Sequence, residues 1–230
     1  MNDVPSIPAQ TDYAAARDHM VDSQVRPNKV IDPRIIHAMR TLPRERFLPP
    51  HLASLAYADE DVPLGRGRAL MEPMVIARLV QLLRVREGDR GLVVGAGAGY
   101  GAAILAACGA TVTALEEDPD LLAIARAILP AVAPAVLPTE GPIAAGWPAS
   151  APYDFILIEG AVQAIPESLA AQLAPLGRVA AVIATPGGPG TAVLAELVHV
   201  GGGPRLRAQP FFDCATPSLP QLRPRPAFTF

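Results

Sequence analysis

Residues 90–100, Arg-Gly-Leu-Val-Val-Gly-Ala-Gly-Ala-Gly-Tyr, limit what this chain can fold into more than any other stretch. An apolar run of strand type leads directly into glycines at 95, 97 and 99, and a helix-forming run follows over 101–108. Glycine lets a backbone turn sharply and approach a ligand without interference from a Cβ. A second apolar run, 110–115, ends at Glu116, about 20 residues beyond the first glycine. Strand, glycine turn, helix, strand, acid is the layout of a βαβ nucleotide site, whose acid accepts hydrogen bonds from ribose hydroxyls. Gly-Ala runs also occur simply to let a helix pack on a sheet, and these residues alone leave that reading open.

The spacing differs from the dinucleotide pattern G-x-G-x-x-G, because Tyr100 stands in the third glycine's place. G-x-G-x-G followed by an acid suits a ligand with a ribose and no pyrophosphate, such as S-adenosylmethionine. The expected cofactor contacts are Gly95, Ala96, Gly97, Gly99, Tyr100, Glu116 and the adjoining Glu117. Glu159 closes a later apolar run, DFILIE, and a strand-end carboxylate at the carboxyl edge of such a sheet joins that set.

Half of the 230 residues are apolar and 18% are charged, enough for a sizeable buried core and too apolar for disorder. A net charge of −3 gives no reason to expect a nucleic-acid or membrane-surface partner. Cys108 and Cys214 are too few for a disulfide framework, and the four histidines have no partners at ligand spacing, so no metal is expected. No secretory leader or membrane-spanning run is read, and the expected location is the cytoplasm.

The division along the chain is a loose tail over 1–10, a helical segment over 11–72, and an α/β core over 73–230. Helices are expected over 11–25 and from Asp32-Pro33, an N-cap followed by proline at the first helical position. Arg44 to Pro49 reads as a charged turn, 51–57 as a short helix, 58–68 as a loop, and 73–85 as an amphipathic helix. Beyond the glycines, strands at 135–138, 154–159 and 177–184 alternate with helices at 119–129 and 166–174. These strands are nearly continuous apolar runs, the mark of a parallel sheet covered on both faces. Residues 191–200 and 205–212 are expected to pair antiparallel at the sheet edge, and 228–230 to dock as a last strand.

Taken together, several segments resemble the protein-L-isoaspartate O-methyltransferase family. They are Met20-Val21-Asp22-Ser23-Gln24-Val25-Arg26, Asp32-Pro33-Arg34, Pro43-Arg44-Glu45-Arg46-Phe47-Leu48-Pro49, Tyr57 and the glycine turn. Gly146-Trp147-Pro148, Ala151-Pro152-Tyr153-Asp154, Ile165-Pro166 and Gln172-Leu173-Ala174-Pro175-Leu176-Gly177-Arg178 continue the series in order. The likeness runs from about residue 12 to 184, and the tail is similar to a divergent bacterial branch. It implies a class I S-adenosylmethionine-dependent methyltransferase: a Rossmann-like, mostly parallel sheet with helices on both faces, an N-terminal helical segment on the substrate side, and an antiparallel C-terminal edge. The implied cofactor is S-adenosylmethionine, and the implied substrate is a protein or peptide carboxylate.

The chain departs from the family pattern at three places. Ala69 and Met71 stand where the family carries a Thr-x-Ser pair that meets the substrate. Val93 replaces an acid two residues before the first glycine. Gly141-Pro142-Ile143 replaces the Gly-Asp-Gly at the adenine, leaving Gly141 and Pro142 as the expected contacts there. A charge-assisted hydrogen bond is worth about 1.5–3 kcal/mol and a neutral one about 0.5–1.5, so the two lost cofactor contacts lower affinity roughly 30- to 1,000-fold. On the substrate side, Arg66 and Arg68 are expected to steer a carboxylate, Met71 to line the site, and Glu72 to offer a replacement polar group there or to complement the dipole of the following helix. The expected activity is carboxyl O-methylation of an unidentified substrate. The alternative is a family member that keeps the fold as a binding or regulatory protein without the chemistry.

Overall fold

The computed structural model describes residues 12–200 and 203–222. Helix α1 (Tyr13–Met20) starts at Asp12, whose carboxylate accepts from the main-chain N–H groups of Ala14 and Ala15, and it runs on as a wider turn over Val21–Val25. Helix α2 (Pro33–Thr41) is capped by Asp32 as its Asp-Pro start requires, with Ile35 and Met39 buried. Two short 3₁₀ turns follow, Arg44–Phe47 and Pro50–Leu55.

The stretch expected as a loop over 58–68 is instead an antiparallel hairpin of β1 (Val62–Gly65) and β2 (Arg68–Leu70). Val62 and Leu70 face each other in its register and are both buried, which anchors the pair. Its turn is made by three successive residues with positive φ, Gly65, Arg66 and Gly67. Helix α3 (Pro73–Leu82) then leads into the main sheet.

Strand β3 (Arg90–Val94), helix α4 (Tyr100–Ala107), β4 (Thr111–Glu116), helix α5 (Pro119–Val132) and β5 (Val136–Glu140) form two βα units. Next come β6 (Tyr153–Val162), the short helix α6 (Glu167–Ala170) and β7 (Leu173–Ile183). Helix α6 ends earlier than expected because Leu173 already pairs with Tyr153, and the register then slips over an outward loop where Leu176 has a φ of 64°. Strands β8 (Gly190–Val200) and β9 (Gly203–Cys214) close the sheet as an antiparallel hairpin. The order across the sheet is β5-β4-β3-β6-β7-β8-β9. The strand expected at 228–230 lies outside the described residues.

Alternate residues of one strand enter opposite cores. Val93, Phe155 and Leu157 pack on the face that also receives Met20, Ile35 and Met39 from the N-terminal helices. Leu92, Val94, Ile156 and Ile158 pack on the other face. Both faces being covered is why residues 91–94 of β3 and 155–158 of β6 run without a polar residue. Among the described residues, no helix is long and apolar enough to cross a membrane.

Candidate active site

The order of strands reverses beside β3, and the buried charged residues Arg68, Glu116 and Glu159 come together near the carboxyl ends of β3, β4 and β6. Gly95, Gly97 and Gly99 have φ values of 70°, 56° and 92°, a region that side chains other than glycine rarely adopt. This explains the alternating glycines. The turn is tied to the neighbouring strand by the main-chain N–H groups of Gly95 and Ala96, which both donate to the carbonyl of Leu115. A Cβ on Gly97 would meet nothing within 4 Å, whereas one on Gly99 would come within 2.9 Å of Leu129.

Glu116 closes β4 and is 1% exposed. One carboxylate oxygen accepts from Gly97 N at 2.7 Å and from Arg68 Nη2 at 2.6 Å. The other accepts from Glu117 N at 2.9 Å and Asp118 N at 3.0 Å. The acid thus shapes its own turn and that of β3, a structural role that a cleft residue need not have.

Two further charges lie beneath this layer. Arg44, in the segment that read as a charged turn, is wholly buried. Its Nε donates to the carbonyl of Ala56 and its Nη2 to that of Met71, both at 2.6 Å. Its guanidinium stands 4.7 Å from the centroid of the buried Tyr100 ring. Glu159 is also buried, and its Oε1 stands 2.2 Å from where a Cβ on Gly101 would be, so a side chain at that point of α4 would displace the carboxylate. Burial pushes the Glu159 carboxyl up to about 8; the charge of Glu116 adds to the rise, and Arg68 and Arg44 oppose it. Among the described residues, Glu159 Oε1, Tyr100 Oη and Arg44 Nη1 find no hydrogen-bond partner and are buried.

On the side expected to meet adenine, Gly141 N donates to the carbonyl of Glu116, and Ile143 N donates to the Glu117 carboxylate at 3.2 Å. A Cβ on Gly141 would stand 3.1 Å from the Trp147 ring, and Pro142 leads into a single 3₁₀ turn. Trp147 is positioned by Gln172, whose Oε1 accepts from its main-chain N–H.

The residues expected on the substrate side separate in space. Arg68 turns inward to Glu116, while Arg66 at the hairpin tip pairs with Asp118 and, at 3.8 Å, with Asp120. Met71 is buried and offers Arg44 its carbonyl. Glu72 precedes α3, its main-chain N–H donates to Asp61, and burial together with the charges of Asp59 and Asp61 raises its carboxyl. Among the described residues, no cluster of His, Cys, Asp and Glu could hold a metal ion. Cys108 and Cys214 are buried, and burial pushes both thiols up to about 11.

Sequence reasoning missed the inward role of Arg44, whose partners come from two remote segments and leave no local signal. Arg68 did carry one. It shares strand parity with the buried Leu70, so a strand reading of β2 turns both residues inward.

A mostly parallel sheet with a glycine turn after β3 and an acid ending β4 defines a class I S-adenosylmethionine-dependent methyltransferase fold. A solved protein-L-isoaspartate O-methyltransferase superposes with a TM-score of 0.75 at 23% identity, over 90% of this chain and 67% of that one. A putative enzyme of the same name from Plasmodium falciparum, in complex with S-adenosyl-L-homocysteine, gives 0.68 at 19% identity, over 92% of this chain and all of that one. The model of the family Protein-L-isoaspartate(D-aspartate) O-methyltransferase matches residues 15–198. The protein-L-isoaspartate O-methyltransferase of Methylorubrum extorquens (strain PA1) is 44% identical over 177 residues, 77% of this chain and 78% of that one. The one from Methylorubrum populi is 41% identical over 174 residues, 76% and 82% of the two chains. This chain belongs to the protein-L-isoaspartate O-methyltransferase family, whose members are S-adenosylmethionine-dependent enzymes.

Proposed function

We propose that this protein transfers a methyl group from S-adenosylmethionine to a carboxylate of a protein or peptide, with isoaspartyl residues as the first candidate. The observation that carries the reading is Glu116, buried at the end of β4 and bonded directly to the glycine turn after β3. The site suits such a cofactor in its backbone. Gly97 leaves open space where a Cβ would stand, and Tyr100 Oη and Glu159 Oε1 are buried polar atoms with no partner among the described residues. Gly95, Ala96, Gly97, Gly99 and Glu116 would hold the nucleoside part, with Glu117, Gly141 and Pro142 toward the base. Bound there, the cofactor supplies an electrophilic sulfonium methyl.

The chain's own task is then chiefly to position. A substrate carboxylate has a reference pKa near 4 and is already ionised at neutral pH, so no protein base has to remove a proton. The absence of hydroxyls at Ala69 and Met71 therefore removes a means of orientation and leaves the nucleophile intact. Membership of an enzyme family supports catalysis over a binding role on the same fold.

The test is incubation with methyl-labelled S-adenosylmethionine and a matched pair of peptides, one isoaspartyl and one aspartyl. Base-labile label in the isoaspartyl peptide alone is the expected result. No label in either peptide, with S-adenosylhomocysteine bound, would reject the substrate.

A further inference from the structure

The acid that would receive a ribose is already engaged by the protein itself. A carboxylate offers about four acceptor positions, and Arg68 Nη2, Gly97 N, Glu117 N and Asp118 N supply a donor for each of those on Glu116. Three of these donors belong to the turns that build the site. The fourth, Arg68, arrives from a separate hairpin. It also reaches past the acid, because Nη2 donates to the carbonyl of Gly95 as well. Its Nη1 stands 2.7 Å from where a Cβ on Gly95 would be. The guanidinium thus fills the close approach to the backbone that this positive-φ glycine opens.

The occupant is imperfectly held. Among the described residues, Arg68 Nε and Nη1 are buried without a partner, and Nη2 alone makes the hydrogen bonds of this side chain. Among the described residues, the hairpin that carries it pairs with itself and not with the main sheet. Its tip is fastened from outside. Arg66, 67% exposed at its side chain, pairs with Asp118, and Pro220 lies within 2.7 Å of where a Cβ on Gly67 would be. Pro220 is itself carried by a segment laced to the end of β6, where Ala161 N donates to the carbonyl of Pro217 and Leu219 N to that of Ala161, both at 2.9 Å.

We propose that the β1–β2 hairpin is a strap over the nucleoside subsite, with Arg68 as its internal occupant, and that an adenosyl ligand gains Glu116 only when Arg68 withdraws. The inference rests on the nucleoside reading of the preceding subsection. Its consequence is a reduced apparent affinity, since a ligand that binds only the open state loses affinity in proportion to the open fraction.

Calorimetric titration of S-adenosylhomocysteine into the full chain and two variants tests this. Arg68→Met keeps the stem and removes the head, and binding should tighten at least tenfold. Arg66→Ala loosens only the exposed tip and should tighten binding two- to fivefold, with little risk to folding. In the parent protein, hydrogen exchange over 62–70 should rise when the ligand saturates. If Arg68→Met fails to fold, Arg66→Ala and the exchange measurement decide the question. Equal or weaker binding by the variants, with unchanged exchange, overturns the strap and leaves the nucleoside site standing. No binding by parent or variants at millimolar ligand overturns both.

Discussion

The guanidinium of Arg44 stands 4.7 Å over the ring of Tyr100, the first residue of α4, and its two carbonyl bonds reach Ala56 and Met71. One buried side chain therefore joins the N-terminal segment, the end of the β1–β2 hairpin and the helix behind the glycine turn. Burial lowers the readiness of Arg44 to hold its charge, and Tyr100 partly restores it. Arg44→Ala should cost about 3–5 kcal/mol, the range for breaking a buried polar network. Arg44→Lys, which cannot reach both carbonyls with a flat fork, should recover less than half of that. Urea unfolding of the two variants measures it.

Glu159 makes stability depend on pH. Its folded value is about 8, above the ordinary carboxyl value, because burial disfavours the charged form. Between the two values the unfolded chain has released the proton and the folded one retains it. Stability therefore falls as pH rises through this window, by about 1.4 kcal/mol per unit at most, and levels off above 8. Glu159→Gln should remove that slope. Its unfolding free energy should gain on the parent's from pH 5 to 8, and parallel curves for the two proteins would refute the assignment.

Glu116 has a structural role as well as a place in the site. Its place after the second strand leads one to expect an acid free to meet a ribose, but its carboxylate is buried and accepts four hydrogen bonds from the protein. Glu116→Ala should lower stability by about 3–5 kcal/mol, because Arg68 would be left buried and unpaired. Adding Arg68→Met to Glu116→Ala should return part of that loss. A double-mutant cycle in urea reads the coupling directly, and strictly additive losses would show that the pair contributes nothing.

Arg178 provides a control at the far end of the sheet. It pairs with Asp89 at 2.7 Å and donates to the carbonyls of Leu83, Asp154 and Arg84, near the starts of β3 and β6. Arg178→Ala should cost about 2–3 kcal/mol of stability and change S-adenosylhomocysteine affinity less than twofold. A large loss of affinity in a folded variant would show that the two ends of the sheet are coupled.

Where local chemistry decides the outcome, the sequence alone determines it. Asp32-Pro33 starts α2 because the aspartate caps the first turn and proline needs no donor there. The alternating glycines form a turn because three residues must take positive φ in short succession. The short apolar runs of β3 and β6, each soon followed by a glycine, read as strands covered on both faces, and both cores receive their side chains. The direction in which charged side chains point was settled by the tertiary structure. Arg44 and Arg68 sit in stretches rich in charge, glycine and proline, where solvation is the local expectation. They are buried because carbonyls and a carboxylate from segments 12 to 48 residues away converge on them. A guanidinium enters the interior only where such partners replace its water, and partners so remote in the chain exist only once the fold has formed.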